Sequence, residues 1–145
     1  MQDIVDFWAN IDIQKRVHPE DCEVMKRIDG NSLFNLNLIP GCFWGPLRTA
    51  KIVFLFSSPG EGESDERYAE SEVGQAYEAC ARTGLEPLPS ADVHPPGYKW
   101  WSERVQKFGQ PEKLASQVAF LNIGAYHSKT TKSPSRNLLS PENQL

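Results

Sequence analysis

A chain of 145 residues, 39% hydrophobic and 23% charged, is long enough for one hydrophobic core and short for two. Its formal net charge of −4 excludes attraction of nucleic acid by the surface as a whole, so any such contact has to be focal. No run approaches the roughly eighteen apolar residues of a membrane span, and Met1 to Asp6 is acidic where a signal peptide is basic; both features predict a cytoplasmic protein with no membrane partner.

Ile4, Val5, Trp8, Ile11 and Ile13 fall at the spacing of a short amphipathic helix. Val24, Met25 and Ile28 form a second, opened by Pro19-Glu20-Asp21, whose acids suit a helix N-terminus, and closed by Gly30-Asn31. Residues 31 to 50 are rich in Asn, Pro and Gly and read as an irregular approach to a strand. Within them Phe43-Trp44 covers one edge of the core, with a base-stacking platform as the alternative.

The run Ile52-Val53-Phe54-Leu55-Phe56, ending in Ser57-Ser58-Pro59-Gly60, has the pattern of a strand buried on both faces that stops at a sharp turn. Such strands sit inside parallel sheets. A helix is predicted from Ser64 to Arg82, capped by Ser64 or Asp65, stopped by Thr83-Gly84, and burying Tyr68, Val73, Tyr77 and Cys80. Pro87, Pro89, Pro95, Pro96 and Gly97 mark a loop, and His94 within it reads as a loop histidine. Residues 98 to 109 resume helical spacing through Trp101, Val105 and Phe108, and Pro111 to Gln117 is a short helix feeding a second apolar run, Val118 to Leu121. The two runs are separated by a stretch ample for the crossover that joins parallel neighbours. The expectation is a single α/β domain with an open parallel sheet flanked by helices: 1–50 helical and irregular, 51–129 the α/β core, and 130–145 a loose tail.

Cys22, Cys42 and Cys80 lie far apart with no Cys-x-x-Cys pair, which predicts reduced, mostly buried thiols and no structural metal. No cofactor motif is present. The turn at Ser57 to Gly62 is acidic and lacks the lysine of a phosphate-binding loop, and no Gly-x-Ser-x-Gly elbow surrounds its serines. In open α/β sheets, ligands bind beyond the carboxyl ends of the strands, which puts Ser57, Ser58, Pro59 and Gly60 beside Asn122. An amide side chain donates and accepts at once, as reading a nucleobase edge requires. Tyr126 offers a stacking face; His127, Ser128 and Lys129 offer donors for a phosphate. Lys129, Lys132 and Arg136, with no acid among them, form the focal basic patch. The plainer alternative stays open: an asparagine serving local backbone groups and a solvated tail.

Phe56-Ser57-Ser58-Pro59-Gly60 resembles the first motif of the uracil-DNA glycosylase superfamily, and Leu114 to Asn122 is similar to the segment carrying that superfamily's base-reading asparagine. Together with Trp100-Trp101 and Tyr126-His127-Ser128-Lys129, the order over residues 40 to 130 most resembles an uncharacterised glycosylase-like branch. The resemblance implies a pocket for a flipped base, with Asn122 and Tyr126 on the base. Ser58 takes the catalytic position, although its hydroxyl is no general base at neutral pH. It also implies two further strands and a late histidine-bearing loop that nothing after Asn122 supplies, so the expectation is the front portion of such a domain, covered by self-association or a partner chain. Two functions follow: a DNA glycosylase-like protein acting on DNA or single-stranded nucleic acid, or a non-catalytic nucleic-acid-binding or protein-interaction module on the same scaffold.

Overall fold

Three strands form an open mixed sheet in the order β1-β3-β2, with β3 (Val118–Asn122) at its centre. The computed structural model describes residues 3–60, 62 and 64–128. β2 (Ile52–Phe56) runs parallel to β3, Ile52 opposite Val118 and Phe56 opposite Asn122. The short β1 (Phe43–Trp44) pairs antiparallel on the other side, Phe43 with Leu121 and Trp44 with Phe120. The two apolar runs are therefore parallel neighbours, as their spacing predicts, but β1 makes the sheet mixed rather than all-parallel.

Burial on both faces belongs to the second run and not the first. Val118, Ala119 and Phe120 are 1%, 0% and 3% exposed, whereas Val53 and Leu55 of β2 are 45% and 62% exposed. The reason is position. β3 has a partner on each side; β2 is an edge strand. Side chains alternate along a strand, so Phe54 and Phe56 face the helix-covered side with Phe120, while Val53 and Leu55 fall on a face that the N-terminal helices cover only over the centre of the sheet.

One layer on this sheet is α1 (Ile4–Ala9), whose Val5 and Trp8 pack with Ile11 against Cys42, Phe43 and Ala125. Asp3 caps α1 by accepting from Val5 N–H at 2.8 Å. A 3-10 turn at Pro19–Asp21 leads into α2 (Cys22–Arg27) and α3 (Gly30–Leu33), so Gly30 opens a new turn rather than ending the chain's helical start. On the opposite face α6 (Pro95–Val105) buries Trp101 and Val105 with Leu88 against Val118 and Phe120, and α7 (Pro111–Leu114) follows it. Gly45 between β1 and β2 has φ 84° and lies so close to the sheet that a Cβ there would sit 2.5 Å from the Val118 carbonyl oxygen. Only glycine fits both demands.

The single helix predicted for 64 to 82 is two. α4 (Asp65–Glu70) and α5 (Glu72–Ala81) meet at Ser71, whose extended backbone breaks the first and whose hydroxyl accepts from Gly74 N–H at 3.0 Å to cap the second. The break resets the helical phase: α5 buries Gly74, Glu78 and Ala81 and exposes Val73 and Cys80. The expected cap at Ser64 makes no side-chain hydrogen bond. The cysteines are free, as their spacing predicts, but only Cys42 is buried; Cys22 is half-buried and Cys80 exposed. Among the described residues no helix is long and apolar enough to cross a membrane, and no group of three or more His, Cys, Asp or Glu side chains is placed to hold a metal ion.

The position of β3 sets an expected contrast in stability. Phe120→Ala, which empties the centre of the core, should lower unfolding free energy by about 3–5 kcal/mol, whereas Leu55→Ala on the open edge should stay within about 0.5 kcal/mol; denaturant midpoints at unchanged slope measure both.

Candidate functional site

Beyond the ends of β2 and β3 the parallel pairing does not stop. Ile123 N–H donates to Phe56 O at 2.9 Å and Gly124 N–H to Ser57 O at 2.8 Å, which keeps the two turns side by side. A cavity of about 320 Å³ opens there, in the range of small-ligand sites. Ser58, Pro59 and Gly60 of the first turn line it together with Asn122 at the end of β3 and His127 from the loop beyond.

Asn122 is held rather than free. Its backbone N–H donates to Cys42 O at 2.9 Å and its side-chain Nδ2 to Gly41 O at 2.6 Å. Donation to a carbonyl settles which end of the amide is nitrogen. The carbonyl Oδ1 has no protein partner among the described residues, and one N–H remains, so the side chain presents an acceptor beside a donor. His127 sets Nδ1 2.6 Å from Gly60 O and Nε2 3.1 Å from Ile39 O, tying the turn to the segment leading into β1. A neutral imidazole has one N–H and donates to one of these carbonyls at a time, and the contacts with both make His127 a brace for the turn.

Other expected site residues are placed elsewhere. Tyr126 does not line the cavity: its hydroxyl donates to Asp21 Oδ2 at 2.6 Å and accepts from His18 N–H at 3.1 Å, and its ring packs on Trp8 and Phe34. It is a core residue of the N-terminal layer, turned away because the chain bends at Ile123-Gly124 before reaching it. Ser57 gives its carbonyl to Gly124, and Ser128 bridges to Phe34; neither lines the cavity. Lys129, Lys132 and Arg136 lie outside the described residues.

The walls are aromatic, and they include Phe43 and Trp44, the pair read from sequence as a core edge or a base-stacking platform. Phe43, Trp44, Phe56, Tyr68, Trp100 and Phe120 all contribute. Glu78, 3% exposed, fixes two of them: Oε1 accepts from Trp44 Nε1 at 2.9 Å and from Tyr68 Oη at 3.1 Å. Arg82, one helical turn on, balances its charge at 3.6 Å, donates to Pro40 O at 2.7 Å and touches the Cys42 sulfur, leaving Nε without a partner among the described residues. Burial pushes the Cys42 thiol up to about 11, with Arg82 opposing, so it stays protonated and unreactive. Burial and the Glu78 carboxylate likewise push the Tyr68 hydroxyl well above its ordinary value. The signal in the sequence was the spacing Gly74, Glu78, Ala81, a helix stripe of small residues with an acid set into it, which the assumption of one unbroken helix concealed.

His94 is the last residue of its loop and has a structural role there. It caps α6, its Nδ1 accepting from Gly97 N–H at 3.0 Å ahead of two prolines, a helix-start pattern legible in His94-Pro95-Pro96-Gly97. The ring is 4% exposed, stacks obliquely on Tyr68 with centroids 4.0 Å apart, and turns Nε2 toward Asp65 Oδ1 at 4.0 Å, longer than a hydrogen bond. Burial lowers its pKa, against the raising influence of Asp65 and Glu78. Asp65 also lines the cavity, its Oδ2 accepting from Gly62 N–H at 2.6 Å. Gly97 lets Trp44 close the wall, since a Cβ there would come within 2.8 Å of the indole.

No family model, curated protein or solved structure matches this chain.

Two outcomes follow from the buried groups. Glu78→Ala strands Arg82 in the interior and should cost about 3–5 kcal/mol, whereas replacing both by Glu78→Leu with Arg82→Met should recover much of that loss; chemical denaturation of the three chains compares them. His94 binds its proton less tightly folded than unfolded, where the value is near 6.5, so unfolding takes up a proton as pH falls through that value and stability is lost below it. His94→Asn, which keeps a capping acceptor, should lose less stability than the parent between neutral pH and about one unit below 6.5, as read from thermal midpoints.

Proposed function

We propose that this chain binds an unstacked nucleobase in the cavity at the carboxyl ends of β2 and β3, on a scaffold like that of the uracil-DNA glycosylases. The observation that carries the reading is Asn122: an amide pinned by Gly41 at the end of the central strand, with an acceptor and a donor left for a ligand inside aromatic walls. A base edge that pairs an N–H with a carbonyl or an amino group with a ring nitrogen meets that pair of groups, and its two faces meet rings. Ser58 and Pro59, the turn residues of the resemblance, line the same cavity.

Binding is better supported than cleavage. Hydrolysis of an N-glycosidic bond needs an activated water or charge support at the sugar, and a serine hydroxyl at the turn supplies neither at neutral pH. The reading is therefore of a base-binding module, with DNA or single-stranded nucleic acid as partner, and glycosylase activity as the competing class. One experiment addresses both. The chain should bind single strands containing uracil or hypoxanthine, in a salt-dependent manner, and Asn122→Ala should weaken that binding by about 1–3 kcal/mol. Abasic-site formation that depends on Asn122 would move the assignment to an enzyme; binding indifferent to Asn122→Ala would remove nucleobase recognition altogether.

A further inference from the structure

The charges around the cavity are one-sided. Asp65 and Glu78 line it, and no lysine or arginine does among the described residues. Glu78 is already neutralised by Arg82 at 3.6 Å and by two donated hydrogen bonds. Asp65 is not. Its Oδ2 holds Gly62 N–H, and the nearest basic group among the described residues is His94 at 4.0 Å. Burial lowers the pKa of that ring, against the raising influence of Asp65 and Glu78. His127, which also lines the cavity, is held by the Gly60 and Ile39 carbonyls, and Arg104, 4.0 Å from the Trp100 ring centroid with Nη1 donating to Trp100 O, is not part of the lining. A carboxylate with no lysine or arginine beside it among the described residues thus stands in a space walled by rings.

We infer that the cavity selects a nucleobase carrying a formal positive charge, an N-alkylated purine or pyrimidine such as 1-methyladenine or 3-methylcytosine, over its neutral parent. A flat aromatic cation meets both features at once. Its charge is attracted to Asp65 where the surroundings are less polar than water, and its faces lie against Trp44, Trp100 and Tyr68, which bind cations better than they bind neutral rings. Its exocyclic amino group remains a donor for Asn122 Oδ1. An anionic ligand meets the opposite: a carboxylate with no lysine or arginine in the lining among the described residues to offset it. The inference rests on the nucleobase reading above and specifies the substrate class of that same site.

The test is fluorescence anisotropy of the full chain with single-stranded oligonucleotides identical except for one central base: 1-methyladenine, which is cationic at neutral pH, N6-methyladenine, which has the same added methyl but no charge, adenine and uracil. The 1-methyladenine strand should bind about tenfold tighter than the other three. Asp65→Asn, which keeps the acceptor for Gly62 N–H, should bring the four affinities within about twofold of one another, with circular dichroism showing that the variant is folded. Should that variant not fold, the comparison of 1-methyladenine with N6-methyladenine on the unaltered chain decides the matter by itself. Equal affinities that all fall with Asn122→Ala would overturn the preference for charge and leave base recognition standing. A preference that persists in folded Asp65→Asn would overturn the role given to Asp65. Absence of any binding sensitive to Asn122→Ala would overturn base recognition and this inference together.

Discussion

The register between β2 and β3 is the constraint on which the rest depends. Phe56 lies opposite Asn122, and the hydrogen bonds from Ile123 and Gly124 carry the pairing two residues past the strands. That alignment places the Ser57 to Gly60 turn and the Asn122 amide at one end of the sheet. A shift of one residue would move every side chain of a strand to the other face. Phe120 would leave the aromatic layer formed with Phe54, Phe56 and Trp100, where ring centroids lie 5.1 to 6.0 Å apart. The core therefore enforces the register, and the register builds the cavity.

The cavity walls depend on a different device. Trp44 and Tyr68 come from a strand and a helix remote in sequence, and Glu78 draws both polar atoms to one carboxylate oxygen. A buried ion pair is rarely a net source of stability compared with apolar residues of the same size. Here it orients two rings, ties α5 to the segment leading into β1 through Arg82 and Pro40, and leaves Asp65 as the lining carboxylate with no arginine beside it among the described residues. Electrostatics and packing thus act on the same few side chains.

Much of this was legible in the sequence where a signal was local. Two apolar runs bounded by turn residues predicted parallel neighbours, and the strand-end rule placed Ser58 and Asn122 at one site. What was misread depended on distant chain segments. Nothing in Ile52 to Phe56 tells an edge strand from a central one, because the difference lies in whether a partner arrives on the second side. Likewise Tyr126 reads as a stacking ring until Asp21 and His18, over a hundred residues earlier, claim its hydroxyl. The phase of α5 hinged on one serine that breaks a helix, and with it went Glu78. His94 was open to a correct reading, since a polar residue before two prolines is a helix start.

The claim at the centre is that the Asn122 side chain and the indoles of Trp44 and Trp100 share one ligand. The most direct measurement is the ¹H–¹⁵N spectrum of side-chain amide and indole groups during titration with a short single strand containing one unpaired uracil. The Asn122 amide and both indole signals should shift together along a single binding curve, with the Trp101 indole, buried against Pro89 O, unmoved. Shifts confined to exposed side chains while Asn122 stays fixed would contradict the account.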